Sequence, residues 1–143
     1  MKHIGNGLLA GLIATIVLSA LMEMKSSIGI MPELDLPRMI AGMMGSADRP
    51  LIGWVIHFMI GVGIYGFAIA LLGNPVPGTS GVARGMIIGF VGWLIMMIML
   101  MPMAGAGIFG MNMGIMAPIM TLVLHLIFGA VLGWTYCRLN NQG

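Results

Sequence analysis

Two histidines are the residues of this chain best placed to do chemistry. His57 follows Pro50 by seven residues and precedes Gly61 by four, and His125 stands in the same way between Pro118 and Gly129. With the numbering shifted by 68, Gly42-Met43, Pro50, His57 and Gly61 fall on Gly110-Met111, Pro118, His125 and Gly129. Neutral imidazole is a good ligand for haem iron, copper or zinc. Helical spacing places Gly53, His57 and Gly61 on one stripe, and Thr121, His125 and Gly129 on its counterpart. A glycine one turn from an axial histidine removes the side chain that would collide with a macrocycle. The expected cofactor site is therefore His57, His125, Gly53, Gly61, Thr121 and Gly129, with the two histidines as ligands of haem b or copper. Arg38 or Arg49 would meet propionates at the near surface.

Two other readings compete with that one. A neutral histidine between helices can hydrogen-bond a hydroxyl or a carbonyl across the interface, worth about 0.6–2 kcal/mol. The pair then reflects duplication and no cofactor is bound. Alternatively, an ionisable group at membrane depth can mark a metal or proton pathway.

The elements that must position the histidines follow from the composition. Hydrophobic residues make up 59% of the chain and charged residues 7%, against about 25% charged in ordinary soluble domains. Several apolar stretches reach the roughly 20 residues a membrane-crossing helix needs. The expected fold is all-α: one integral membrane four-helix bundle over residues 1–143, with the lipid bilayer as its first partner. Helices are expected at about 4–24, 50–72, 84–103 and 118–138. The first reads as a retained anchor, because its apolar part is longer than a signal peptide's and no Ala-x-Ala site follows. Gly7, Gly11, Thr15 and Ser19 put a strip of small residues on that helix, which lets backbones approach closely in lipid.

Residues 26–49 form the polar connection, broken by Pro32 and Pro37, with an amphipathic segment at Leu36–Met44 suited to the membrane interface. Asn74 to Gly78 reads as a turn. Ala104–Ala117 is uncharged, and is expected to lie in the interface or under a partner.

The chain reads as a tandem duplication of a two-helix unit, residues 1–73 and 84–138. Gly7 and Gly11 match Gly85 and Gly89 at a shift of 78, ten more than between the histidine helices. Each unit crosses twice, so the repeats are parallel and both histidines lie about 10 Å below the same surface. Basic residues tie between the two sides, but the short terminal and middle segments carry only basic charge, which places both termini in the cytoplasm.

Methionine is abundant, with 18 in the chain. Met96, Met99 and Met103 share one helix face, as do Met113, Met116 and Met120. Thioethers select Cu(I), although methionine also fills irregular apolar gaps. Glu23, Glu33, Asp35 and Asp48 all lie on or beside the first connection, so no carboxylate pair is available inside the bundle for acid–base catalysis. No phosphate loop is present, and the net charge of +2 gives no footprint for nucleic acid. The lone Cys137 reads as a packing residue. An enzyme is not expected.

The two His-x-x-x-Gly segments resemble those of small b-type cytochromes, which implies haem ligation by His57 and His125. Over its whole length, with its duplicated Pro-x6-His-x-x-x-Gly helices and Met/Gly-rich links, the chain resembles small uncharacterised four-helix proteins of bacterial inner membranes. That likeness implies a bacterial inner-membrane setting and no particular activity. The functional expectation is a non-catalytic protein holding haem b or a metal between His57 and His125 in an electron-transfer or respiratory setting. The alternatives are a cofactor-free accessory subunit of a larger membrane complex or homo-oligomer, and a copper, metal or proton pathway.

Overall fold

The computed structural model of the chain describes residues 2–73 and 79–141. The turn expected from Asn74 to Gly78 lies outside the described residues. Four long helices, α1 (Lys2–Ser27), α3 (Pro50–Leu72), α4 (Gly81–Met103) and α5 (Met116–Asn141), are joined by a short α2 (Leu36–Met43) and a 3-10 turn at Ile108–Met113. All four long helices are long and apolar enough to cross a membrane. Helices α1 and α5 run two or three residues past both expected ends, α4 starts three residues early and ends as expected, and the bounds of α3 agree with the sequence pattern. Pro50 opens α3 in its first turn, where a missing N–H costs little, and the Ser80 hydroxyl caps α4 by accepting from the Ala83 N–H at 3.1 Å.

Glycine decides which helices meet. A side chain at Gly11 would fall 2.6 Å from the Gly61 carbonyl, and one at Gly85 would overlap the Gly129 carbonyl. The small-residue strip of α1 therefore seats on α3, and the glycines of α4 seat on α5. Thr15 and Ser19 bond back to the Gly11 and Thr15 carbonyls at 2.6 and 2.7 Å, so their hydroxyls are satisfied inside α1. Gly7 faces Gly66 while Gly11 faces Gly61, so α1 and α3 run antiparallel; Gly81 facing Gly133 and Gly89 facing His125 show the same for α4 and α5. The registers differ. Gly89 lies against His125 and Gly129, whereas its sequence counterpart Gly11 lies against Gly61 and Gly66, one turn further along α3.

The pairs join through α1 and α5, around a core that includes Ala14, Leu18, Ile69, Phe128 and Leu132. His3 and Asn6 both donate to the Asn140 side-chain oxygen at 3.0 Å and lock the start of α1 to the end of α5. Helices α3 and α4 pack much less closely, and a groove separates them. Each helix has a π-helical segment along this groove, Ile60–Tyr65 in α3 and Met96–Leu100 in α4.

The segment expected to be amphipathic does form a helix, α2, but it lies on protein as well as at the surface. Its Pro37 carbonyl occupies the space beside Gly53, and Pro37, Ile40 and Ala41 are buried. The uncharged link after α4 is folded on itself. Asn112 donates from its backbone to Ala106 and from its side chain to Gly105, at 3.0 and 3.2 Å, and Phe109 packs edge-on to Trp93. Its Ile108, Met111 and Ile115 remain exposed.

Candidate functional site

Lysine 25 prepares one end of the groove. It is 7% exposed, and its ammonium donates to the carbonyls of Ile30, Met31 and Leu34 at 3.1, 2.7 and 3.2 Å. Those bonds pull the chain leaving α1 back across the bundle end. Asp35 then caps α2 by accepting from the Arg38 N–H at 3.0 Å. As a result Leu36 and Ile40 close the end of the groove at which His57 and His125 stand.

The groove encloses about 510 Å³, inside the roughly 300–1,000 Å³ range of cofactor-sized sites. Its floor comes from α1 and α5, with Thr15, Leu18, His125 and Phe128; its walls are α3 and α4. The lining is almost wholly apolar. Ile64, Val91 and Ile95 on the rim are exposed, so the groove opens sideways on the flank that a bilayer would cover.

The two imidazoles differ in how they are held. His125 Nδ1–H donates to the Thr121 carbonyl at 2.8 Å. A carbonyl can only accept, so in the neutral ring the proton sits on Nδ1 and the Nε2 lone pair is free. Fixing one ring nitrogen by a backbone carbonyl is also the usual support for a metal-bound histidine. His57 is 6% exposed, and its Nε2 is buried without a hydrogen-bond partner among the described residues. Trp54 and Phe58 meet its ring edge-on at 5.7 and 6.0 Å. A buried polar atom without a partner costs about 1–3 kcal/mol, so a ligand able to pair with it gains that much.

Of the six residues expected at the site, His57, His125 and Gly61 line the groove, and the other three do not. The space expected beside the glycines is already filled. A side chain at Gly53 would overlap the Pro37 carbonyl, at Gly61 the Thr15 hydroxyl, and at Gly129 the Gly85 carbonyl. These glycines serve close approach of helices, and the space a side chain would take at each is occupied by neighbouring chain. Thr121 donates its hydroxyl to the Ala117 carbonyl at 2.7 Å and accepts the Trp93 Nε1–H at 3.0 Å, which ties α4 to α5 behind His125. Arg38 and Arg49 are turned outward, beside Asp35 and Asp48 at 3.9 and 4.0 Å.

Of the two methionine sets, Met96, Met99 and Met103 line the groove. Met113 and Met120 instead pack around the second core, which centres on Trp93, Met97 and Met101. No group of three or more His, Cys, Asp or Glu is assembled among the described residues, so a bare ion at the pair would need thioether ligands. Sequence reasoning missed Lys25, Trp54, the covering role of Leu36 and Ile40, and Tyr65, which lines the groove with its hydroxyl against Gly92. The only signal for Lys25 was a charge at the end of an apolar helix. Cys137 packs against Gly81 and accepts from Arg84 Nη2 at 3.5 Å, in keeping with a packing role.

Fold and groove together define a class: an all-helical membrane-type bundle of four helices with a side-opening apolar groove and two histidines at one end. The chain belongs to the family of unknown function DUF6789, whose model matches residues 1–143. No curated protein and no solved structure matches it.

Proposed function

We propose that this chain is a non-catalytic membrane protein that holds a hydrophobic cofactor in the α3–α4 groove, with His57 and His125 taking its polar or metal-bearing end. The observation that carries this reading is the buried, unpaired Nε2 of His57, a residue that lines the same groove as His125, whose Nε2 lone pair is free. An electron-transfer or respiratory setting suits such a site, because haem b, a copper ion or a bilayer-soluble redox carrier is each held by imidazole. The filled glycine positions weigh against a haem ring lying directly beside Gly53 and Gly129. The placement of Met96, Met99 and Met103 in the groove favours copper over zinc as the metal. A bacterial inner membrane with cytoplasmic termini is the proposed location.

The test is direct. The protein is purified in mild detergent, its visible spectrum recorded before and after dithionite, its Fe, Cu and Zn measured, and its organic-solvent extract analysed by mass spectrometry. A bound chromophore, metal or apolar small molecule at near-unit stoichiometry is expected, and His57→Ala and His125→Ala should each release it. A fully helical, colourless and metal-free protein with an empty extract sinks the proposal.

One observation favours a second reading, that of an accessory subunit. The groove is open along its flank, so a helix of a larger complex could close it and no cofactor would be needed. A stoichiometric membrane partner, together with an empty extract, is the outcome expected of that reading.

A further inference from the structure

The groove is long as well as apolar. On α3 it runs from His57 to Leu72, and on α4 from Ile87 to Met103. Fifteen residues at about 1.5 Å each make a groove of about 22 Å, and beyond His125, whose backbone meets Gly89, it continues between α3, as far as Leu72, and Ile87 and Ile88 of α4. Beyond His57 and His125 the long walls are isoleucine, leucine, valine, alanine and methionine for most of their length. Polar groups thus stand mainly at the end closed by α2, with the Tyr65 hydroxyl, set against Gly92, partway along α3, and the rest offers a path for a hydrocarbon chain.

The chemistry of the head can be read from the two rings. His125 Nε2 can only accept, because its Nδ1–H is committed to the Thr121 carbonyl. His57 Nε2 is uncommitted, so it can carry the proton and donate. A head that both donates and accepts through oxygen satisfies the two together. No Lys, Arg, Asp or Glu lines the groove among the described residues, and an unpaired charge there would be costly to desolvate. That excludes phosphate and carboxylate heads and leaves neutral oxygen.

We propose that the groove binds a bilayer-soluble prenyl-chain molecule with a neutral oxygen head, of the quinone–quinol or alcohol type, its head at His57 and His125 and its chain along α3 and α4. The rim at Ile64, Val91 and Ile95 is where such a molecule enters from the bilayer. This deepens the cofactor reading and rests on it.

Trp54, 5.7 Å from the His57 ring, supplies the reporter, since a quinone head bound at His57 quenches its fluorescence. The protein in lipid nanodiscs is titrated with two quinones of identical ring, one bearing a single isoprene unit and one a long prenyl chain. Trp54→Phe defines the Trp54 share of the signal, and a long-chain prenol serves as competitor. The long-chain quinone is expected to bind at least about tenfold tighter than the short one. Ala68→Phe and Ile87→Trp, which narrow the groove on opposite walls on the side of His125 away from α2, should remove that advantage and leave short-chain binding unchanged. His57→Ala should weaken both quinones. Circular dichroism verifies that each variant is folded, and Ile87 is exposed enough that its variant does not depend on core repacking. Equal binding of short and long chains, with both narrowing variants silent, overturns the chain assignment and leaves the histidine site standing. A bound haem or metal with no affinity for quinone or prenol also overturns it while the cofactor reading survives. Competition by prenol without quinone binding identifies the head as an alcohol. An empty protein that binds neither probe overturns both proposals.

Discussion

His57 and His125 occupy the same place in two similar stretches of sequence, yet the fold treats them differently. On α5 the imidazole is locked by the carbonyl one turn back, at 2.8 Å, and the threonine supplying that carbonyl is itself tied to Trp93. On α3 the matching position is Gly53, pressed under Pro37, and the His57 ring is buried with Nε2 unpaired. Matching motifs have thus produced one oriented acceptor and one unsatisfied group. The lesson is that the pair is asymmetric, as suits a ligand whose two ends or faces differ. The helix pairs carry the same asymmetry, being slipped by one turn relative to each other.

The largest effect should come from breaking one pair's glycine contact. Gly85→Val places side-chain atoms on the Gly129 carbonyl, with backbone on the other side unable to yield. We expect at least about 3 kcal/mol of destabilisation and loss of monodisperse protein in size-exclusion chromatography. Gly63, with nothing near its missing Cβ, is the control: Gly63→Ala should change thermal stability by no more than about 0.5 kcal/mol. Equal behaviour of the two variants would mean that the close α4–α5 contact does not hold that pair together.

Next in size is the closure over the histidine end. Lys25→Met keeps the length of the side chain but strands the carbonyls of Ile30, Met31 and Leu34. A loss of about 2 kcal/mol is expected, concentrated in the connection to α2. Hydrogen exchange should rise over residues 28–40 and stay unchanged in α5; unchanged exchange in both would show that the lysine is not what holds the cover down.

Thr121→Val tests the support behind His125. Its loss leaves the Trp93 Nε1–H unpaired, costing about 1–2 kcal/mol. The corresponding change on α3, Gly53→Ala, acts by overlap with Pro37 and should displace α2 instead. Tryptophan emission and limited proteolysis between α1 and α3 separate these two outcomes.

The smallest and sharpest comparison is between the histidines themselves. In ligand-free protein, His125→Leu gives up the Thr121 bond and should cost about 1 kcal/mol. His57→Leu removes an unsatisfied buried polar atom and should be neutral, or stabilising by up to about 1 kcal/mol. Equilibrium unfolding in mixed micelles reads both, and the same cost for the two variants would erase the asymmetry. Neither variant should retain a cofactor.

Much of this molecule follows from its sequence alone. Apolar runs near bilayer length, prolines at helix starts and strips of glycine demand four closely packed long helices, because only a helix satisfies its own backbone across so apolar a stretch. The equal Pro-to-His spacings also put both histidines within reach of one end of the bundle. The tertiary structure decided the rest. Glycine spacing announces that something comes close but not what, so Gly53, Gly61 and Gly129 suggest room for a ring in the sequence and are contact points for Pro37, Thr15 and Gly85 in the fold. A lysine at a helix end carries no sign that three carbonyls will fold back to meet it. The groove exists because α3 and α4, adjacent in the chain, are each held more tightly by another helix than by one another. Which of four apolar helices pair is settled by backbone fit summed over whole faces, and no single motif records that sum.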